Sequence, residues 1–188
     1  SHVITNPELQ LKRSLNHDLL RPVFAFINPE LTYTVSPYQT ACGIVDIMMH
    51  TMERYFVPNA DTDLTDRLAE GLLVAVKNAG KVAVAHPDDY EARATLMWAS
   101  SLSHNGLTGC GKQYLFTAHR LEHDVSGIFD HVAHGAGLAV LFPALALYIY
   151  KHDIRKFCQF ATRVWGLEMD FDHPERTALA GILAMKDY

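Results

Sequence analysis

Cysteine is scarce in this chain: Cys42, Cys110 and Cys158 are odd in number, far apart, and in no CxxC pair. That excludes a thiolate metal knot and a disulfide framework. It leaves free thiols suited to a reducing compartment, with the cytoplasm as the expected location. Basic charge is scarce too. With 16 Lys and Arg against 21 Asp and Glu, the net charge of -5 leaves no basic stripe, so no nucleic-acid partner is expected. Long apolar runs are missing: residues 138–150 fall short of a bilayer span, and no membrane partner is expected. The opening stretch, residues 1–16, is polar, unlike a signal peptide. No period-2 alternation is long enough for a sheet, and no Gly-x-Gly-x-x-Gly turn follows a strand, which excludes a dinucleotide site of the βαβ kind.

What is present is a chain of 188 residues, 49% hydrophobic and 20% charged, enough for one domain with a sizeable core. Residues 1–35 read as an irregular entry segment, with a short helix near residues 7–16. Within it, Val23-Phe24-Ala25-Phe26-Ile27, ended by Asn28-Pro29, suggests a buried extended piece.

Helices follow. Ser36 as cap, Pro37 at the first position and Gln39 open a helix to about Phe56. A second fits residues 62–85, with Leu64, Leu68, Leu72 and Val76 at helical spacing. Asp88 and Glu91 repeat the capping pattern and open a third to about Ser103. A glycine-rich break spans residues 105–111. A fourth helix carries His119 and His123, and a fifth starts near His134 with Pro143 inside it, implying a kink or wide turn. Residues 153–165, closed by Gly166, make a sixth, and Pro174 opens a seventh. The pattern predicts an all-α helical bundle of about seven helices.

Histidine is the unusual abundance: 11 copies, four of them between His119 and His134. Asp46 and His50 share one face of the first strong helix at i, i+4 spacing, among Ile44, Val45, Ile47, Met48 and Met49. A buried aspartate needs a partner, and either a cation or a plain Asp–His hydrogen bond would serve. His119 and His123 repeat the spacing on a second helix, and His134 opens the next. Nitrogen donors with one carboxylate suit Zn²⁺ or Fe²⁺ better than Mg²⁺ or Ca²⁺. Five candidates for about four positions leave the choice open on chemistry alone.

Two long motifs then carry a resemblance. Cys42-Gly43-Ile44-Val45-Asp46-Ile47-Met48-Met49-His50-Thr51-Met52-Glu53-Arg54-Tyr55-Phe56 resembles the first metal-ligand helix of iron-type alcohol dehydrogenases, above all their butanol dehydrogenase branch. So does His119-Arg120-Leu121-Glu122-His123, followed by His134-Gly135-Ala136-Gly137-Leu138-Ala139-Val140-Leu141-Phe142-Pro143. The resemblance runs from about Val3 to about Met185. It implies the helical C-terminal domain of the dehydroquinate synthase-like fold, with the N-terminal nucleotide-binding domain absent. It implies Asp46, His50, His119 and His134 as ligands of Fe²⁺ or Zn²⁺, with His123 beside the site as proton relay. The loop before His134 is one residue longer than the family's usual spacing, which makes His131 a rival to His134; the Gly-Ala-Gly-Leu after His134 favours the latter. The implied reaction interconverts a primary alcohol and an aldehyde, with hydride passing to NAD(P) held by the absent domain. The isolated domain is then expected not to turn over. The face toward the missing half should be exposed, with association between copies as a consequence.

Other signals are weaker. Residues 106–112 fit the first seven positions of a P-loop, but Gln113 replaces the hydroxyl residue and no strand precedes it. His123-Asp124 is the dipeptide of HD-type metal-dependent phosphohydrolases, which also require an earlier His and a later Asp such as Asp153 or Asp170. A metal-free helical interaction module is the third class. Trp98, Tyr114, Phe116 and Trp165 are expected in the core.

Overall fold

The computed structural model describes residues 2–15, 17–58 and 62–188, and seven α-helices stand among them. Helix α1 (Pro37–Tyr55) begins as its sequence dictates. The Ser36 side chain accepts from the Gln39 N–H at 3.3 Å, and Pro37 sits where its missing N–H is not needed. α1 occupies the centre, packed against α2 (Asp63–Ala85), α3 (Tyr90–His104) and α5 (His134–Ile149). Met48, Met49, Met52 and Tyr55 are all at most 2% exposed, so this helix is a core element on nearly every side.

The stripe expected on α2 is rotated. Leu72 and Val76 are buried, but Leu64 and Leu68 are exposed, and the buried line runs through Asp66, Ala69, Glu70 and Leu73 instead. In the first turns the inner face is taken by two carboxylates, because Lys156 and Arg163 of α6 (Ile154–Arg163) meet them there. α3 is capped one residue later than the capping pattern suggests: Asp89, not Asp88, accepts from the Ala92 N–H at 2.8 Å. α4 (Thr117–Ile128) packs on α5, and α7 (Pro174–Asp187) on α6. Asp153 caps α6, which ends at Arg163, short of Trp165; Gly166 then takes a left-handed φ of 71° to turn the chain.

Pro143 lies inside α5, which runs through it as one helix with no wide turn. With the 3-10 turn that follows, the apolar stretch reaches 19 residues, His134–His152, long and apolar enough by composition to cross a membrane. That exceeds the run visible in the sequence. In the fold this helix packs against α1, α4 and α7. Trp98, expected inside, is 56% exposed, whereas Tyr114, Phe116 and Trp165 are half-buried.

The entry segment differs most from expectation. No helix forms over residues 7–15, the described part of the stretch expected to hold one. Strands β1 (His2–Asn6) and β2 (Leu11–Leu15) pair antiparallel, Val3 opposite Ser14, and Asn16 lies outside the described residues. Asn6-Pro7 explains the turn: the Asn6 side-chain oxygen Oδ1 accepts from the Leu9 N–H at 3.0 Å, and Pro7 fixes the next φ. The hairpin packs on α4. The apolar piece from Val23 to Ile27 is not buried; Val23 is 99% and Phe26 91% exposed, because no described element covers it.

Close approach of α5 to α1 depends on one glycine. A Cβ on Gly135 would stand 2.1 Å from the Cys42 carbonyl oxygen and 2.8 Å from its Cα, so backbone rests on backbone. Gly135→Ala is expected to destabilise the chain by about 3 kcal/mol through forced separation of the two helices. Thermal unfolding followed by circular dichroism checks this, and an unchanged midpoint would contradict the close contact.

Candidate metal centre

Three helices deliver the side chains. Asp46 and His50 come from α1, His119 from the first turn of α4, and His134 from the first residue of α5. Their heads converge on one atom. Asp46 Oδ1 lies 3.3 Å from His119 Nε2, and 3.6 Å from the Nε2 of both His134 and His50. Asp46, His119 and His134 form a set whose donor atoms are all within 4.8 Å of one another. His50 faces the same oxygen, its ring 4.3 Å from the His119 ring and 4.1 Å from that of His104.

These separations test whether the residues suit a cation. Donors about 2.1 Å from a common tetrahedral ion stand roughly 3.4 Å apart. Asp46 Oδ1 keeps 3.3 to 3.6 Å from each of the three nitrogens, near that edge length, and Asp46, His119 and His134 lie mutually within 4.8 Å, whereas His50 stands outside that close set; 3.6 Å is too long for a hydrogen bond from His50 or His134 to Asp46. A hydrogen bond joins Asp46 to His119 at 3.3 Å, but none accounts for the approach of His50 and His134 to the same oxygen. The donor set of one carboxylate oxygen and three imidazole nitrogens fits Zn²⁺ or Fe²⁺.

Electrostatics agree. Burial opposes ionisation of Asp46, but the bond from His119 and the neighbouring His50 and His134 hold its pKa below the usual carboxylate value. Burial pushes His50 down to about 3, against the pull of Asp46, so this ring stays neutral as a ligand must. Burial also acts against the charge on His119, yet its bonds to Asp46 and Glu53 more than reverse this and raise it to about 9. As a ligand His119 would give up its Nε2 proton to the ion, so metal uptake at this ring would release a proton.

The structure brings His134, not His131, to Asp46; His131 is exposed in the turn between α4 and α5. His123 is half-buried beside His134, with ring centroids 5.3 Å apart, and burial holds its pKa below the ordinary histidine value. It belongs to a second close set, Glu122, His123 and His134, and does not face Asp46 in the first. The HD arrangement is not assembled. Asp124 is exposed, Asp153 accepts from the Lys156 N–H as the cap of α6, and Asp170 accepts from the His173 N–H ahead of α7. The P-loop-like stretch forms a short 3-10 turn, and Lys112 is committed to Asp66 at 2.6 Å.

Sequence reasoning missed three neighbours. Glu53 and Glu122 are buried carboxylates whose Oε2 atoms face Nδ1 of His119 and of His134 respectively. His104 packs against His50 with its ring tilted by 45°. Position could have flagged Glu53, which shares a face with Asp46 and His50 on a helix with almost no solvated side. Next to this cluster, a polar hollow of about 700 Å³ is lined by Arg21, Arg54, His104, Asn105, Tyr114 and Phe116. The His104 and Phe116 rings that bound it pack directly on His50.

Comparison with known proteins gives a consistent result. Residues 40–187 match the model of the Fe-containing alcohol dehydrogenase family, C-terminal. NADH-dependent butanol dehydrogenase A of Clostridium acetobutylicum is 42% identical over 174 residues, covering 92% of this chain and 44% of that protein. NADPH-dependent aldehyde reductase YqhD of Escherichia coli is 36% identical over 158 residues, 83% of this chain and 40% of that protein. Among solved structures, NADH-dependent butanol dehydrogenase A of Thermotoga maritima superimposes with a TM-score of 0.92 at 34% identity, over 98% of this chain and 46% of the other. The chain thus spans about half the length of the relatives it matches.

Proposed function

The chain belongs to the Fe-containing alcohol dehydrogenase family, as its helical C-terminal domain, and on that premise we propose that it is the metal-binding, substrate-side part of an NAD(P)-dependent enzyme. The reaction is interconversion of a primary alcohol of the butanol class and its aldehyde, as the names of the relatives suggest. One observation carries the proposal: a single carboxylate oxygen on α1 met by three Nε2 atoms from three helices at 3.3 to 3.6 Å. Asp46, His50, His119 and His134 would hold the ion. When bound, Fe²⁺ or Zn²⁺ supplies Lewis-acid stabilisation of negative charge on the substrate oxygen.

The chain's own residues do the rest. Neutral His50 and the Phe116 ring, 5.6 Å apart, form the wall between the cluster and the polar hollow. Burial, with His134 and Lys12 nearby, keeps His123 uncharged at neutral pH, so its ring can accept a proton leaving the alcohol. Hydride acceptance falls to NAD(P) on the nucleotide-binding half. The exposed apolar side chains Leu19, Val23, Phe24, Phe26 and Leu31 are the surface we assign to that half. In its absence the same surface favours association between copies.

Two measurements test the proposal. The 188-residue chain, loaded with Fe²⁺ or Zn²⁺ and analysed for metal, is expected to hold one ion and form no NAD(P)H from butanol. Joined to the nucleotide-binding half of a related butanol dehydrogenase, it is expected to turn over. A chain that takes up no ion, or a folded, metal-loaded fusion that stays inactive, would overturn the proposal.

A further inference from the structure

We propose that Glu53 and Glu122 are positioning residues that fix which nitrogen His119 and His134 present to the centre. The inference rests on the metal-binding role of those histidines. A neutral imidazole offers a lone pair on only one nitrogen, and which one is set by the hydrogen bond the other makes. For both rings to turn Nε2 toward Asp46, both must carry the proton on Nδ1, and a buried Nδ1–H needs an acceptor.

Each ring has one. Glu53 reaches from α1 to the start of α4, where Oε1 accepts from the Ala118 N–H at 2.6 Å and Oε2 from the His119 N–H at 3.3 Å. The same Oε2 faces His119 Nδ1. Glu122 reaches from α4 to the start of α5, where Oε2 faces His134 Nδ1. The order is sequential: α1 orients the ligand on α4, and α4 orients the ligand on α5.

Glu122 is the sharper case. Glu53 has a second duty, since α4 starts at Phe116 without a side-chain cap of its own. Glu122 satisfies no backbone group. Its side chain is 0% exposed, its Oε1 has no hydrogen-bond partner among the described residues, and besides His134 its ion-pair partner there is Lys12 of the hairpin, 3.6 Å from Oε2. A carboxylate buried against one lysine at 3.6 Å gives little net stability to the fold, because the cost of desolvating it offsets much of that attraction. Space is nevertheless kept for it: a Cβ on Gly137 would stand 2.8 Å from Glu122 Cγ. What Glu122 does provide is a fixed acceptor behind His134.

The test uses Glu122→Gln and Glu122→Leu in the 188-residue chain, titrated with Co²⁺ and followed by its visible absorption. Gln keeps an acceptor and loses the charge; Leu removes both. Co²⁺ affinity is expected to fall about 10-fold in Glu122→Gln and about 100-fold in Glu122→Leu, the range for loss of such outer partners. The absorption band should change in the Leu variant, and in the Zn²⁺-loaded chain ¹H–¹⁵N spectra should show that His134 no longer carries its proton uniformly on Nδ1. Melting midpoints should stay close to that of the unmutated chain. Unchanged affinity and spectra in both variants overturn the positioning role while the metal centre stands. A collapse of the melting curve in both assigns Glu122 to the fold and overturns it too. Failure of the unmutated chain to bind Co²⁺ overturns the centre itself.

Discussion

Asp46→Ala is expected to lower the affinity of the chain for Zn²⁺ or Fe²⁺ by more than ~100-fold, the upper end of what loss of an outer orienting partner causes. The side chain supplies the one anionic donor, and its Oδ1 is the atom on which His50, His119 and His134 converge. Three imidazoles without it bring no charge to offset that of the ion. The fold should survive. Asp46 is half-buried, with a side chain 34% exposed, and His119 keeps its bond to Glu53 when Asp46 is gone. Equilibrium dialysis with metal analysis gives the affinity, and circular dichroism the stability. His123→Ala is the paired control. The second close set, Glu122, His123 and His134, is the one other place among the described residues where three donors gather. Retained binding in Asp46→Ala together with lost binding in His123→Ala would move the ion to that set and refute the assignment.

Much of this site was legible before any coordinates. The capping residue Ser36 sits where its spacing puts it, and two motifs in the right order were enough to indicate the family. Selection among the five candidates was not legible, because i, i+4 spacing says which side chains share a face and not which face meets a neighbour. Asp46 and His50 stay together, while His119 turns to Asp46 and His123 turns to His134. Glu53 and Glu122 were hidden for a related reason. Glutamate on a helix is usually a solvated charge, and only the approach of α4 and α5 makes these two buried acceptors. The segment from Val23 to Ile27 shows the converse. Its apolar character was read correctly, but burial belongs to a pair of surfaces, and no described element supplies the second. The hairpin was missed because its strands are five residues each and largely polar, too short for an alternation to register.

The largest expected effect on the fold lies away from the centre, at Asp66. Its carboxylate accepts from Lys112 at 2.6 Å through Oδ1 and pairs with Lys156 of α6 through Oδ2, so one anion joins α2, the loop after α3, and α6. Burial is nearly complete on the cationic side too, with Lys112 1% exposed along its side chain. Asp66→Asn therefore leaves two ammonium groups without the carboxylate that both contact, and only Glu70 nearby to offset them. Breaking a buried pair from one side costs about 3–5 kcal/mol, which lowers the melting midpoint by roughly 10 °C in a chain of this size. Lys112→Met should cost less, because Lys156 still pairs with Asp66 and the methionine fills the space. The pH dependence has a defined sign. Burial raises the Asp66 pKa, but the two lysines more than reverse this and hold it below 3.8. A carboxylate depressed in the folded state adds stability that is present above its unfolded pKa and lost as pH falls through the folded one. The gap in melting midpoint between Asp66→Asn and the unmutated chain should be full at pH 7 and shrink below about pH 4. A gap that stays constant down to pH 2, or a substitution without effect at pH 7, would show that the two lysines are solvated and that α6 is held by its apolar face alone.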